Sequence, residues 1–370
     1  MLVQCHDCGN TARFTIEEWR CTCGGAWELA SKPDFDIHRI RKEDHSIWRY
    51  GEMLGLDIVK PKEEMGVGWT PLVPVCLFGR RVHCKLEFLS PSGSFKDRGV
   101  NAMVNQLVHM GVKTVVEDSS GNAGASLAAH AARFGLAAQI FVPAYASPAK
   151  RYQIAVYGVD VVPVPGPRRA AEAAAQAAVG PSKAYASHAY NPAYLAGQVT
   201  AAWEIWEQLD RRSPDWILCP VAQGGQFLGY WFGFTKLLEA GLIDHLPHMV
   251  AVQPALIAPI FKAWSQNLDH VPAVAGTKPT IAEGTAIPQP IRGKRLLQVL
   301  RETDGLVIPV EEAAILRAQK NLAHLGFFVE PTSALVAAGL HQLLGKVAPD
   351  ETIIMPLTGS GLKGAPQIEG

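Results

Sequence analysis

A lysine set among small residues is the first feature of this chain that could perform chemistry. The stretch "SPSGSFKDRG" covers residues 90–99, and an apolar segment with helical spacing begins directly behind Lys96. The start of a helix disfavours a positive charge, which helps a lysine there to become a neutral amine. A neutral amine can form a Schiff base with a carbonyl compound. Taken alone, the loop is more typical of a solvated surface lysine.

A second loop of small polar residues, "SSGN", follows the apolar stretch "KTVVED". Two hydroxyl groups and the backbone N–H groups at a helix start favour a carboxylate ligand, which makes Ser119, Ser120 and Gly121 candidate substrate-binding residues. The Asn122 amide could hold a phenolate-type oxygen. The alternative is a tight turn in which Ser120 or Asn122 caps the helix.

Two further loops follow strand patterns in the second half of the chain. Glycines between "WILCPV" and an aromatic-rich helix would let backbone N–H groups approach a phosphate, although a plain turn is the alternative. The residues of this loop are Ala222, Gln223, Gly224, Gly225 and Gln226. After the final strand pattern, "ETIIMPL", the hydroxyl of Thr358 could form a hydrogen bond with a ring nitrogen.

Four cysteines crowd into the first 23 residues, at Cys5, Cys8, Cys21 and Cys23. Their spacing, C-x2-C-x12-C-x-C, resembles a zinc ribbon, and four thiolates would make a closed structural metal site. The alternative is a small ribbon of reduced thiols without metal.

Patterns of strand and helix alternate along the chain and would position these loops. From residue 98, "RGVNAMVNQLVHMG" has the apolar spacing of a helix, "KTVVEDSS" that of a buried strand, and "NAGASLAAHAARFG" that of a small-residue helix. A second run of such units begins after residue 197. Alternation of this kind predicts βαβ units and an α/β fold with parallel sheets covered on both faces.

The amino-acid composition limits the classes of molecule that this protein is expected to bind. The 370 residues suffice for two core-bearing domains, and 34 basic side chains balance 34 acidic ones. This balance argues against nucleic acid or an anionic membrane surface as the partner. No apolar run is long enough to cross a bilayer, and the first residues lack a secretory signal pattern. We therefore expect a cytoplasmic protein with a small-molecule partner.

The order of the four loops is more specific than any one of them. A lysine loop, a serine–asparagine loop, a glycine loop and a terminal hydroxyl together describe a site for pyridoxal 5'-phosphate (PLP). With "GSFKDRG", "SSGNAGASLAAHAARFG", "CPVAQGG", "GFFVEPTSA" and "TGSGLK", the chain resembles the fold type II (tryptophan synthase β) PLP enzymes, and among them the threonine synthases.

The resemblance implies a domain arrangement and a reaction. It implies a ribbon at residues 1–35, a large cofactor-binding α/β domain at 36–97 and 198–370, a small α/β domain at 98–197, and a homodimer. The reaction would be a PLP-dependent lyase reaction that converts O-phospho-L-homoserine and water to L-threonine and phosphate.

The resemblance also assigns roles to the candidate residues. Lys96 would form the Schiff base and carry the Cα proton, and Asn122 would hold the ring hydroxyl. The glycine loop would bind the cofactor phosphate, and Thr358 would face the pyridine nitrogen.

The chain departs from the threonine synthase pattern at several positions. Tyr194, a candidate substrate-binding residue, stands where the family usually has a phosphate-binding arginine, and "IAEGTAIPQP" is closer to the amino-acid dehydratases. Arginine forms bidentate bonds to phosphate that tyrosine cannot form. A dehydratase acting on serine or threonine is therefore an alternative, as is a related lyase acting on a non-phosphorylated substrate. The intact Lys96, Asn122 and Thr358 argue against a non-catalytic binding protein.

Overall fold

Helices and strands alternate along most of the chain in the computed structural model, which describes residues 1–31, 33–274, 276 and 278–364. The strands are β1 (Leu2–Cys5), β2 (Thr11–Arg13), β3 (Trp27–Leu29), β4 (Leu72–Leu77), β5 (Arg80–Lys85), β6 (Thr114–Glu117), β7 (Ala137–Pro143), β8 (Asp160–Val164), β9 (Lys183–Tyr185), β10 (Trp216–Pro220), β11 (His248–Pro254), β12 (Leu306–Val310) and β13 (Ile353–Pro356). The helices are α1 (Lys96–His109), α2 (Asn122–Phe134), α3 (Pro148–Ala155), α4 (Arg168–Ala177), α5 (Pro192–Gln208), α6 (Gly225–Glu239), α7 (Pro259–Ser265), α8 (Gly293–Glu302), α9 (Glu312–His324) and α10 (Pro331–Leu343). Among the described residues, no helix is both long enough and apolar enough to cross a membrane.

The chain divides into two compact units. The first contains Met1–Gly68 and Ser90–Gln198, and the second contains Trp69–Leu89 and Val199–Gly364. These bounds differ from the predicted domains, which place residues 36–68 and 90–97 with the large domain. In the structure, the indole N–H of Trp48 donates a 2.8 Å hydrogen bond to Oδ1 of Asn101 on α1, and this contact ties the segment to the first unit.

The main sheet of the first unit has the strand order β8-β7-β6-β9, and all its neighbouring strands are parallel. Val115 and Val116 of β6 are both fully buried although they point to opposite faces, as expected for a sheet covered on both sides. Alanines of α2 pack into this core. The helix ends at Gly135, whose φ of 65° is readily adopted by glycine.

A small antiparallel sheet precedes this α/β region. Its order is β2-β1-β3, and it carries the cysteine-rich segment. A compact cluster of side chains supports it: Val3, Cys5, Phe14, Cys21 and Trp27. A core of so few apolar residues stabilises the segment only slightly, so a bound metal would add substantially to its stability.

The sheet of the second unit has the order β12-β11-β10-β13-β5-β4. Its strands are parallel except for β4, which forms an antiparallel hairpin with β5 at the edge. All four residues of β13 are buried, and the inner side of α10 packs into the same core. The predicted fold class, an α/β protein with parallel sheets, is confirmed.

Candidate active site

Lys96 is the first residue of α1 and is half-buried. The carboxylate of the next residue, Asp97, organises the loop around it. It accepts hydrogen bonds from the backbone N–H of Ser92 at 2.7 Å, from the Ser92 hydroxyl at 2.5 Å and from the hydroxyl of Ser126 on α2 at 2.5 Å. Because Asp97 is fully buried, these bonds hold the lysine loop (residues 90–99) against α2.

The serine loop (residues 119–122) connects β6 to α2. Ser119, Ser120 and Asn122 are half-buried, and the Ser119 hydroxyl accepts a 3.3 Å hydrogen bond from the backbone N–H of Gly121. A side chain at Gly124 would overlap the carbonyl oxygen of Ser119, so glycine lets the loop close tightly on the helix. The loop therefore places two hydroxyl groups next to the N–H groups at a helix start, as a carboxylate ligand requires.

A buried carboxylate that the sequence interpretation did not single out ends β6. Glu117 is 1% exposed, and its Oε1 lies 2.7 Å from Nδ1 of His188, which is 16% exposed. Burial raises the pKa of Glu117 well above its usual range. Burial also lowers the pKa of His188 well below 6.5, and the positive charges of Lys96 and Arg168 lower it further.

The neighbouring carboxylate, Asp118, is fully engaged. Its two oxygens accept bonds from Arg168 at 2.6 Å and from the hydroxyl of Tyr185 at 2.6 Å. Burial, followed by the charges of Asp118 and Glu117, raises the pKa of Tyr185 well above 10 and keeps its phenol neutral. Asp118 thus braces the end of β6, whereas Glu117 faces His188.

Tyr194 lies on α5 and is 1% exposed. Its ring packs directly on Gly99, one turn along α1 from Lys96, so closely that a side chain at Gly99 would overlap it. The rings of Tyr194 and His188 lie 6.1 Å apart in an edge-on arrangement. The first unit therefore brings together Lys96, the Glu117–His188 pair and the predicted substrate residue Tyr194.

In the second unit, the glycine loop (residues 222–226) follows β10 and leads into α6. Gly224 has a φ of 82°, and a Cβ atom there would lie 2.5 Å from Leu296, so both backbone and space favour glycine. The side chain of Gln223 accepts a 2.9 Å bond from the backbone N–H of Ile291. Gln226 is 4% exposed, and neither atom of its amide has a hydrogen-bond partner among the described residues.

Thr358 follows β13, which is the parallel neighbour of β10. Since the carboxyl ends of parallel neighbours share one edge of the sheet, Thr358 and the glycine loop lie at the same edge. The Thr358 hydroxyl is fully buried, 2.9 Å from the hydroxyl of Ser333. Ser333, on α10, was not singled out in the sequence; it also accepts a 2.8 Å bond from the N–H of Gly359.

These groups fit PLP, the cofactor that the motifs imply. In the first unit, a half-buried amine at a helix start could bond to the cofactor aldehyde. In the second unit, Thr358 offers a neutral hydroxyl for a ring nitrogen. The unpartnered amide of Gln226, beside the N–H groups at the start of α6, suits a phosphate.

Comparison with known proteins decides the family. The family described as "Pyridoxal-phosphate dependent enzyme" matches residues 63–359, a range that contains all the residues proposed above to hold the cofactor. The chain belongs to this family. Its resemblance to the fold type II PLP enzymes is thereby confirmed.

Curated relatives of this PLP-dependent enzyme match almost its full length. A threonine synthase of Methanocaldococcus jannaschii is 33% identical over 379 residues, covering 98% of this chain and 93% of the relative. A threonine synthase of Methanosarcina acetivorans is 31% identical over 376 residues, covering 98% of this chain and 92% of the relative.

Solved structures of similar fold include a deaminase and an ammonia-lyase. A threonine deaminase of T.th. is 26% identical, with a TM-score of 0.67, and the match covers 80% of this chain and 94% of that one. An L-serine ammonia-lyase from Rhizomucor miehei, 22% identical with a TM-score of 0.68, covers 79% of this chain and 93% of its own, and shows the fold alone.

The cysteine segment of the PLP-dependent enzyme forms a separate group of potential ligands. The sulfur atoms of Cys5, Cys8, Cys21 and Cys23 all lie within 4.8 Å of one another. The Cys5–Cys23 and Cys8–Cys21 sulfur distances are 3.5 and 3.6 Å. Four sulfurs around a tetrahedral zinc ion at ~2.3 Å would be about 3.8 Å apart. The donor set therefore fits zinc in both chemistry and spacing.

Proposed function

We propose that this enzyme removes the Cα proton of a small amino acid and then eliminates or replaces a substituent of its side chain. The lead reaction is the conversion of O-phospho-L-homoserine and water to L-threonine and phosphate. The observation that carries this proposal is that two threonine synthases, 33% and 31% identical to the chain, each match 98% of its length. The half-buried Lys96 at a helix start supplies the group that such a reaction requires.

The residues of this chain would divide the work as follows. When bound, PLP withdraws electrons from the substrate Cα and so makes its proton acidic. Lys96 would hold the cofactor covalently and then carry the Cα proton. The hydroxyl groups of Ser119 and Ser120, with the N–H of Gly121, would bind the substrate carboxylate. The cofactor itself would be held by Asn122, Ala222, Gln223, Gly224, Gly225, Gln226 and Thr358.

A second candidate reaction is the deamination of a β-hydroxy amino acid such as serine or threonine. The buried Tyr194 favours it, because a neutral ring in place of an arginine removes a charge-assisted bond to a substrate phosphate. Such a bond is worth about 1.5–3 kcal/mol, or roughly ten- to a hundredfold in affinity. The similarity to a threonine deaminase structure supports the same alternative.

We also propose that the cysteine segment binds one structural zinc ion. Burial raises the pKa of Cys5 to about 12, so this thiol would remain protonated unless a cation displaced its proton. Zinc bound by all four sulfurs would have no open position for chemistry.

Assembly and location remain predictions based on the family resemblance. We propose a homodimer that acts in the cytoplasm on a small amino acid, without nucleic acid or membrane as a partner. Light scattering of the purified holoenzyme would test the dimer, since it measures molar mass directly.

A substrate panel tests the proposed function. Purified enzyme with PLP is incubated with O-phosphohomoserine, threonine and serine, and the release of phosphate and of oxo acid is followed. We expect phosphate release from the first substrate in the wild type and in Lys113→Ala, which replaces an exposed lysine. We expect none in Lys96→Ala. Oxo-acid release from serine or threonine without use of phosphohomoserine would establish the second candidate instead.

A further inference from the structure

The Glu117–His188 pair has the geometry of a proton-transferring histidine held by a carboxylate. Oε1 of Glu117 contacts Nδ1 of His188 at 2.7 Å, which fixes the orientation of the ring. Nε2, on the other side of the ring, has no hydrogen-bond partner among the described residues, and the side chain is 16% exposed. This nitrogen can therefore meet a ligand that the buried carboxylate cannot reach.

The pair lies beside groups that the proposed reaction uses. Glu117 ends β6, and the serine loop begins two residues later. The ring of His188 faces Tyr194, which packs on α1 one turn from Lys96. The pair thus borders the groups proposed to bind the substrate carboxylate and to move the Cα proton.

A purely structural role does not account for Glu117. Its second oxygen, Oε2, is buried and has no hydrogen-bond partner among the described residues. An unsatisfied buried polar atom of this kind destabilises a fold. Asp118, the adjacent carboxylate, shows how such a group is satisfied when it only supports the fold, since both its oxygens are bonded.

We propose that His188 is a second proton-transfer residue of the enzyme, beside Lys96, and that Glu117 positions it and exchanges a proton with it. This inference rests on the proposed function. His188 would act on the substrate side chain, where water adds or a hydroxyl group leaves. The reacting group is an oxygen, either of the incoming water or of the leaving hydroxyl.

In the synthase reaction, the water oxygen uses a lone pair to bond to Cβ. The electron pair of the Cα–Cβ double bond moves to Cα, and one water proton passes to Nε2 of His188. The proton on Nδ1 passes to Glu117 at the same time, so the ring stays neutral. Solvent takes up the proton from Glu117 through His188 afterwards.

In the dehydratase reaction, the same transfers run in reverse. The C–O bond breaks and its electron pair leaves with the oxygen, which takes the proton from Nε2 and departs as water. The electron pair at Cα forms the double bond, and Glu117 returns a proton to Nδ1. A hydroxyl group leaves poorly without such a proton, so the pair serves either candidate reaction.

The charges around the pair favour a relay in which the ring remains neutral. Burial and the negative charges of Asp118 and Glu172 raise the pKa of Glu117. The positive charges of Arg168 and Lys96 lower it. Burial and the two cations lower the pKa of His188. Two nearby tyrosines, Tyr185 and Tyr194, have pKa values raised by burial and stay neutral. The ring of His188 is therefore neutral, and the raised pKa of Glu117 favours its uptake of the proton from Nδ1.

Two measurements on the holoenzyme separate this role from that of Lys96. Exchange of the substrate Cα hydrogen in D2O reports the lysine step, and release of phosphate or oxo acid reports the whole reaction. We expect His188→Gln to slow product release by ~10²–10³-fold while exchange stays within about threefold of the wild type. Glu117→Gln should slow release by ~10–100-fold. His109→Gln, at an exposed position of α1, should change neither.

Parallel loss of exchange and release in His188→Gln, or unchanged release, would overturn the relay. Absence of exchange in the wild type would overturn the proposed function itself, and the relay with it.

Nitrogen NMR of histidine-labelled enzyme gives a readout independent of activity. The His188 signal, identified by its loss in His188→Gln, should report a neutral ring at about pH 6, where a free histidine is largely charged. It should shift in Glu117→Gln. A charged ring at that pH, or a signal indifferent to Glu117, would contradict the relay.

Discussion

At the scale of single residues, Asp97 is the group on which the placement of Lys96 depends most directly. Its carboxylate is fully buried and accepts three hydrogen bonds from Ser92 and Ser126. A carboxylate can accept all three bonds, whereas an amide offers one oxygen and a nitrogen that only donates.

Asp97→Asn should therefore destabilise the enzyme by about 1–3 kcal/mol and loosen the lysine loop. Urea unfolding of the holoenzyme measures the loss. Asp160→Asn is the control, because this exposed carboxylate accepts a single 3.0 Å bond from Gln139. Equal stability of the two variants would show that the Asp97 bonds do not hold the loop.

The residues of the candidate site differ in how well they could be read from sequence. Lys96 and Thr358 lie in loops whose composition is unusual, so the sequence singled them out. Glu117 ends an apolar stretch that was correctly interpreted as a buried strand, and its partner His188 is 71 positions away. A contact over that separation depends on how β6 and the segment before α5 pack, which residue spacing does not encode.

At the scale of elements, the glycine loop is a connection whose backbone and surroundings both favour glycine. Gly224→Ala would force a side chain to φ 82° and place its Cβ atom 2.5 Å from Leu296. We expect PLP affinity to fall about tenfold or more, because the strain and overlap would shift the loop.

Titration of the cofactor-free enzyme with PLP measures this change. Gly241→Ala is the matched control, since Gly241 also has a positive φ, 67°, but has open space around it. If the two variants bound PLP equally well, the loop would not contribute to the cofactor site.

The cysteine ribbon is the element that a metal would stabilise. Trp19, between the two cysteine pairs, packs edge-on against Tyr185 and Tyr190 with ring centres 4.8 Å from each. Zinc would therefore fix a loop that contacts the residues around His188.

Metal analysis of the purified enzyme should find about one zinc per chain. Replacing Cys5 and Cys8 by serine should remove it and lower the melting temperature, while PLP remains bound. Cys76→Ser, which changes an exposed cysteine, should keep the metal. Metal-free wild-type protein with undiminished stability would favour the alternative of reduced thiols.

Sequence patterns predicted regular elements better than irregular ones. The predicted helix and strand around Lys96 and the serine loop are present as α1, β6 and α2. The β4–β5 hairpin was not predicted, and neither was α8, which begins at Gly293. Proline and glycine in residues 264–295 hid the start of that helix, since both residues usually mark turns.

At the scale of the whole molecule, stability in the second unit depends on a buried ion pair. Lys85 and Glu204 are both fully buried, and Nζ of Lys85 lies 2.8 Å from the carboxylate. The ammonium also donates to the carbonyl of Thr70 at 2.7 Å and to Gln208 at 2.9 Å. Every donor of this lysine is thus satisfied by protein groups.

Lys85→Met should destabilise the enzyme by about 3–5 kcal/mol, because it leaves the Glu204 carboxylate buried without a counter-charge. Lys85→Met combined with Glu204→Leu should recover part of that loss. Arg133→Met, which breaks an exposed pair with Glu63, should cost less than about 1 kcal/mol. Chemical unfolding measures all three, and a small effect of Lys85→Met alone would contradict the assignment.

The central claim is that Lys96 holds PLP covalently, and one measurement tests it directly. The holoenzyme is reduced with borohydride, digested, and mapped by mass spectrometry for peptides that carry the reduced cofactor. We predict a single modified lysine, Lys96, within the peptide that contains "SPSGSFKDRG". Stoichiometric cofactor on any other lysine, or a holoenzyme in which Lys96 remains unmodified, would contradict the account.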